Sequence, residues 1–194
     1  MRKILLAAIC CVPALAFADD AAKPAEMAPP KPGAEQKALA PFFGGNMTWT
    51  GKVHAGAMGP TSPEMPTRGK QTCHAGLDGF WYVCDVNSTT GSGKQAMKWS
   101  GHFLIGYDAG AKSYRATGVD NMGTMAIMKG ELNGKKFTLA SEAPMSMMGM
   151  TFLDRVTWDL DTMKFTDEHA SPGGNDWKVI EEDTFKIAPG AMAK

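Results

Sequence analysis

Five side chains near the carboxyl end of the chain have the types and spacing to do polar chemistry: Asp154, Asp167, His169, Glu181 and Asp183. Together they could bind the polar groups of a ligand, and Asp154, Asp167 and Glu181 could supply a general acid and a general base. Each lies an even number of residues from large apolar side chains, which in a β-strand places both on one face. Carboxylates on an apolar face are costly unless they are paired, so this set needs a structural or functional reason.

The segments that must position these residues are short, β-rich and bounded by Gly, Pro, Asn or Asp. Ten strands are predicted, near 46–54, 67–75, 80–88, 95–107, 112–120, 123–131, 135–142, 149–159, 162–170 and 176–187. Short connections between successive strands indicate an antiparallel meander. Such a sheet has two exposed edges unless it closes, so we expect an all-β fold, an up-and-down barrel of about ten strands. A two-sheet sandwich is the alternative architecture.

Alternation then assigns the inner faces. The predicted inward sets are Met97, Trp99, Gly101, Phe103, Ile105 and Tyr107; Met150, Phe152, Asp154, Val156 and Trp158; Met163, Phe165, Asp167 and His169; and Trp177, Val179, Glu181, Asp183, Phe185 and Ile187. The candidate ligand-binding residues are therefore Trp99, Phe103, Tyr107, Asp154, Trp158, Asp167, His169, Glu181 and Asp183. Two alternatives stay open, since the carboxylates could lie in water at the barrel mouth or a bulge could reverse one strand's alternation.

A hairpin with a disulfide is predicted around Asp78-Gly79, a pair that suits a type I′ turn. Folding the chain about this turn pairs Leu77 with Phe80, Ala75 with Tyr82 and Cys73 with Cys84. Directly facing residues are close enough for a disulfide, and the even cysteine count after removal of the leader favours one. Two unlinked, buried thiols are the alternative.

The amino-terminal region reads as a processing segment. Residues 1–18 combine Arg2 and Lys3, an apolar stretch and Ala16-Phe17-Ala18, so we expect a signal peptide cut after Ala18 and export to the periplasm or outside the cell. Residues 19–33 are rich in Ala and Pro and predict a disordered linker. Residues 34–188 form the barrel domain, which begins with a short helix and a plug of Leu39, Phe42 and Phe43, and 189–194 form a tail.

Charge argues against nucleic acid or an anionic membrane as partner. Removing Arg2 and Lys3 leaves 18 basic and 20 acidic residues, a net charge near −2. After the signal, the sequence contains no stretch of about 20 apolar residues that would form an integral membrane segment. The oligomeric state does not follow from the sequence.

Methionine is unusually frequent, with 15 residues in the chain. Met145, Met147, Met148 and Met150 lie together at a strand connection, and thioether sulfur selects Cu(I), so they are candidates for a metal site. Methionine also fills irregular apolar cavities and lines adaptable binding surfaces, which is the plainer interpretation.

Enzyme and cofactor motifs are mostly missing. Gly91-Ser-Gly-Lys94 lacks the first glycine and the final Ser or Thr of a P-loop, and Gly-x-Ser-x-Gly and His-Glu-x-x-His do not occur. His169 could be an axial haem ligand, but Cys-x-x-Cys-His is absent and we expect no cofactor. His74 and His102 are expected to be solvated. Carboxylates alone do not define a reaction, so the sequence leans away from an enzyme.

From about Gly33 to Ile187 the chain resembles the bacterial domain of unknown function 1579 family, whose members resemble calycin-like (lipocalin-like) barrels. The resemblance rests on Leu39-Ala-Pro-Phe42, Leu77-Asp-Gly-Phe80, Gly101-His-Phe-Leu-Ile-Gly-Tyr-Asp108 and Val119-Asp-Asn-Met-Gly123. One departure is Gly45-Asn46-Met47, where the family leads us to expect Gly-x-Trp; Trp49 follows two residues later on the same face. The resemblance implies a β-barrel and no established activity.

The sequence therefore predicts an exported, disulfide-bonded barrel that binds a small, partly apolar ligand. An enzyme that uses the inner carboxylates and a periplasmic Cu(I)-binding protein are the alternatives.

Overall fold

The computed structural model describes residues 30–188. The predicted signal peptide, all of the linker before Pro30 and the predicted tail lie outside the described residues. Two short helices, α1 (Ala34–Ala38) and α2 (Ala40–Phe43), precede eleven strands. These are β1 (Asn46–Val53), β2 (Met65–Gly76), β3 (Trp81–Thr90), β4 (Met97–Asp108), β5 (Ser113–Asp120), β6 (Met125–Asn133), β7 (Lys136–Ser141), β8 (Met145–Met147), β9 (Met150–Asp159), β10 (Lys164–Ala170) and β11 (Lys178–Ala188).

Ten of the strands close into an antiparallel barrel, as predicted. Neighbours in sequence pair from β1 to β7, β7 pairs with β9, and β9, β10 and β11 continue the ring. The ring closes where β11 pairs with β1 from Asn46↔Ala188 to Val53↔Glu181. The sequence did not predict β8, which pairs only with β9 where that strand begins. No helix among residues 30–188 has the length and apolarity to cross a membrane.

The cysteine hairpin forms in the predicted register. Cys73 faces Cys84, Ala75 faces Tyr82, and the two cysteines are joined by a disulfide. Asp78 and Gly79 have positive φ angles of 57° and 85°, and the Phe80 N–H donates a hydrogen bond to the Leu77 carbonyl. The predicted Leu77–Phe80 ladder pair is wrong, because Leu77 also takes a positive φ and the ladder ends at Gly76↔Trp81.

The two helices plug one end of the barrel with apolar side chains. Leu39, Phe42 and Phe43 are buried, which confirms the predicted plug. The Phe43 ring makes edge contacts with Phe137 and Trp158, each at 5.5 Å between centroids. Gln36 attaches α1 to the barrel, since its Oε1 accepts a hydrogen bond of 2.8 Å from the Tyr107 N–H.

The two β1 residues at the departure from the family pattern, Met47 and Trp49, both point inward. Met47 is buried in the core beside the plug, and Trp49 lies one inward position further along the strand. The Trp49 ring lies over Gly69 of β2, where an added Cβ would come within 2.1 Å of it. The glycine therefore makes room for the indole, which turns Trp49 into part of the interior wall.

A β-bulge near the start of β11 reverses the predicted faces of the residues before it. Asp167 faces Glu181 but the next residue, Glu168, faces Val179, so Ile180 is the extra residue. Ile180 and Glu181 both face the interior, whereas Val179 is exposed. Trp177 lies outside, with its ring 4.3 Å from the Arg155 guanidinium carbon. The predicted inward positions of Trp177 and Val179 are therefore wrong, since a bulge reverses the alternation on one side of it.

The plug gives the first testable prediction. Phe43→Ala removes a fully buried ring and should lower the free energy of unfolding by about 3 to 5 kcal/mol. Urea unfolding followed by tryptophan fluorescence measures this loss. The exposed helix residue Lys37 supplies the control, because Lys37→Ala should leave stability within about 0.5 kcal/mol. Equal losses for both variants would contradict the plug.

Candidate ligand-binding site

The barrel encloses a cavity of about 260 Å³ between the plug and the opposite end. Aromatic and aliphatic side chains form most of its wall, including Trp49, Val86, Trp99, Phe103, Ala126 and Met128. Strands β9, β10 and β11 form a polar wall with Asp154, Asp167, His169 and Glu181. Among the described lining residues there is no Lys or Arg. The cavity is therefore mostly apolar, and its acidic side chains are concentrated on this wall.

Seven of the nine candidate binding residues line this cavity: Trp99, Phe103, Asp154, Trp158, Asp167, His169 and Glu181. Tyr107 and Asp183 do not. Tyr107 lies beside the plug, where its N–H donates to Gln36 and its ring packs against Tyr114 at 5.2 Å between centroids. Asp183 is 3% exposed and is not among the residues that line the cavity.

Glycine at position 51 makes room for Asp183. Gly51 faces Asp183 across the β1–β11 seam, and a Cβ at Gly51 would lie 2.2 Å from Asp183 Oδ1. Neither Asp183 oxygen accepts a hydrogen bond from another residue in the described part of the chain. Burial, followed by the charge of Glu181 and a hydrogen bond to it, raises the pKa of Asp183 from its usual 3.8 to about 9. In its protonated form Asp183 can donate a hydrogen bond to the Glu181 carboxylate.

Glu181 is the partner in this pair. Burial raises its pKa, while hydrogen bonds from Asp183 and from the Thr67 hydroxyl oppose the increase. Thr67 Oγ1 lies 3.3 Å from Glu181 Oε1. Thr67 is not among the residues predicted from the sequence, although its alternation with Gly69, Gln71 and Cys73 on one face of β2 could have identified it.

Asp154 and Asp167 form a second carboxyl pair. Burial raises the pKa of Asp154. Burial also raises the pKa of Asp167 well above its usual range, and the charges of Asp154, Glu181 and Asp183 add to the effect. Since Asp167 is influenced by the other three carboxyl groups, the four form one cluster across β9, β10 and β11, which we name the carboxyl cluster.

His169 stands at the edge of the carboxyl cluster. Its Nε2 lies 3.8 Å from Asp167 Oδ1 and 4.0 Å from Asp154 Oδ1. The ring stacks on Phe152 with the centroids 3.7 Å apart. Burial lowers the pKa of His169 to about 4, so the imidazole is neutral near pH 7.

A model of the family described as "Protein of unknown function (DUF1579)" matches residues 31–186. The chain belongs to this family. The match covers the plug and almost the whole barrel, and the closed antiparallel barrel agrees with the calycin-like shape expected from the resemblance. No curated protein matches the chain.

In this DUF1579 barrel, methionines surround the end of the cavity away from the helices. Met58, Met97, Met145, Met147 and Met150 lie there, and we name this end the mouth. Met148, the fourth member of the predicted methionine cluster, has a positive φ and is 61% exposed. Three of the four clustered methionines thus face the cavity, whereas Met148 points to solvent.

Burial of Asp183 predicts a pH dependence of stability. Between about pH 4 and pH 9 the folded protein retains a proton that the unfolded chain releases, so stability should fall as pH rises through this range. Asp183→Asn removes this proton uptake and can still donate to Glu181. It should raise the free energy of unfolding at pH 8 by about 2 to 5 kcal/mol, and by less at pH 5.

Urea unfolding at the two pH values measures the effect. Glu131→Gln, at an exposed position on the outer face of β6, is the control and should change stability little at either pH. A variant of Asp183 that is less stable than the wild type at pH 8 would contradict the assignment.

Proposed function

We propose that the barrel binds a small, partly apolar molecule in its interior. The observation that carries this proposal is a cavity of about 260 Å³ with one polar wall and otherwise mostly apolar walls. Ligand sites in proteins are commonly concave and apolar, with a few convergent polar groups that fix orientation. An eight-stranded barrel can already hold one small ligand, so a ring of ten strands has the room.

The two walls suggest how such a molecule is oriented. Its apolar body packs against the rings of Trp99 and Phe103, which lie 6.1 Å apart between centroids. Its polar group faces Asp154, Asp167 and His169 across the cavity. The methionines of the mouth supply flexible side chains that can adapt to the ligand's shape.

Export is also part of the proposal. A disulfide persists in oxidising compartments and is rare in the cytosol, so the Cys73–Cys84 bond supports work in the periplasm or outside the cell. The signal-like composition of residues 1–18 points the same way. Catalysis by the inner carboxylates and Cu(I) binding by the methionines stay predictions from the sequence.

Filling the cavity tests the binding proposal. The neutral fluorophore N-phenyl-1-naphthylamine serves as the probe, because its emission increases in apolar surroundings. Val86→Trp places an indole in the cavity wall and should weaken probe binding at least about tenfold. Fluorescence titration of wild type and variant gives the two dissociation constants.

The adjacent residue provides a matched control on the same strand. Asn87 is exposed and points outward, so Asn87→Trp adds the same side chain on the other face of β3 and should leave the dissociation constant unchanged. The proposal fails if the wild type does not bind the probe, or if Val86→Trp and Asn87→Trp have equal effects.

A further inference from the structure

Strand register brings three potential metal-ligating atoms together in the polar wall. Asp154 of β9 faces His169 of β10 directly, and Asp167 lies two residues before His169 on the same face. One ligating atom from each residue lies within 4.8 Å of the others. Two carboxylates and an imidazole therefore converge on one point at the surface of the cavity.

Two oxygen atoms at this point have no hydrogen-bond partner. Asp154 Oδ1 and Asp167 Oδ1 are both buried from solvent and neither accepts a hydrogen bond from a donor among the described residues. These are the same two atoms that approach His169 Nε2, at 4.0 and 3.8 Å. Unpartnered buried polar atoms are rare in folded proteins and indicate a strained site or a missing ion or water.

We propose that Asp154 Oδ1, Asp167 Oδ1 and His169 Nε2 bind one divalent transition-metal ion, such as Zn²⁺. A cation at this point satisfies both oxygens and removes the repulsion between the two carboxylates. Nitrogen and oxygen donors without thiolate suit Zn²⁺ and its neighbours in the first row. The inference does not depend on an organic ligand and goes beyond the proposed function.

The observed distances require little movement. Metal–ligand bonds of about 2.1 Å at tetrahedral angles place two ligand atoms about 3.4 Å apart. The two histidine distances, 3.8 and 4.0 Å, exceed that value by about half an ångström, so small side-chain rotations close the site. Three protein ligands leave a fourth position that faces the cavity, which is the arrangement of metal sites that bind an exogenous molecule.

The surrounding contacts hold the ligands in place. The His169 ring is stacked on Phe152, which fixes its plane. The Asp154 N–H donates a hydrogen bond of 2.9 Å to Ser141 Oγ. Such supporting contacts orient ligands in known metal sites, and here they lie in rigid strands.

Titration with Zn²⁺ tests the site. Protein freed of metal by a chelator should bind one equivalent in calorimetry. His169→Phe keeps the stack on Phe152 and removes the nitrogen, and Asp167→Asn removes a charge; each should weaken binding at least about tenfold. His54→Phe is the matched control, because His54 also lies beside carboxylates, with Nε2 3.0 Å from Glu182, but on the outer surface. It should bind Zn²⁺ as the wild type does.

Zn X-ray absorption of the wild type adds a readout that does not depend on how the variants fold. The proposal predicts one imidazole and carboxylate oxygens around the ion, with no sulfur neighbour. Sulfur neighbours would indicate that Zn²⁺ binds to the methionines. Loss of binding in His54→Phe but not in His169→Phe would indicate that Zn²⁺ binds at the outer surface. Either result, or a wild type that binds no ion, overturns the inference. Binding of N-phenyl-1-naphthylamine tests the proposed function independently of the metal site.

Discussion

The placement of four carboxyl groups on one inner wall, Asp183 buried and the other three partly buried, is the constraint on which the rest of the structure depends. Asp154, Asp167, Glu181 and Asp183 cannot rotate to solvent, because closed strand pairing on both sides fixes the direction of each side chain. Their mutual repulsion has to be reduced by shared protons, by Thr67 or by a bound cation. A polar wall of this kind also cannot be filled by apolar packing, so the barrel interior next to it stays open.

The residues that stabilise the barrel and the residues that line its cavity lie toward opposite ends of the barrel axis. At the helix end, Phe43, Phe137 and Trp158 form an aromatic core around the plug, and the disulfide joins β2 to β3. At the mouth, the methionines and the polar residues surround the open cavity. Substitutions near the plug should therefore act on folding, whereas substitutions around Trp99 and Asp154 should act on what the interior holds.

Local signals explain how much of the fold could be predicted from the sequence. Asp78-Gly79 set the hairpin register and hence the cysteine pair, and turn residues separated the ten barrel strands. The bulge at Ile180 has no such signal, because an extra residue in a strand leaves the composition unchanged; this is why Trp177 and Val179 were placed on the wrong face. The position of Tyr107 beside the plug has another reason. Alternation predicts which face of the strand a residue lies on, but not how far along the barrel axis it lies from the plug. The convergence of Asp154 with His169 depends on the pairing of β9 with β10, which strand faces alone do not define.

Methionine methyl NMR tests the central claim, that the barrel interior binds a small molecule, most directly. In protein labelled with ¹³C at the methionine methyl groups, Met97, Met145, Met147 and Met150 report from the cavity, while Met125 and Met148, both more than 60% exposed, report from outside. On addition of N-phenyl-1-naphthylamine we expect the cavity methyl signals to shift and the other two to stay in place. Shifts confined to Met125 and Met148, or no shifts at all, would contradict a binding interior.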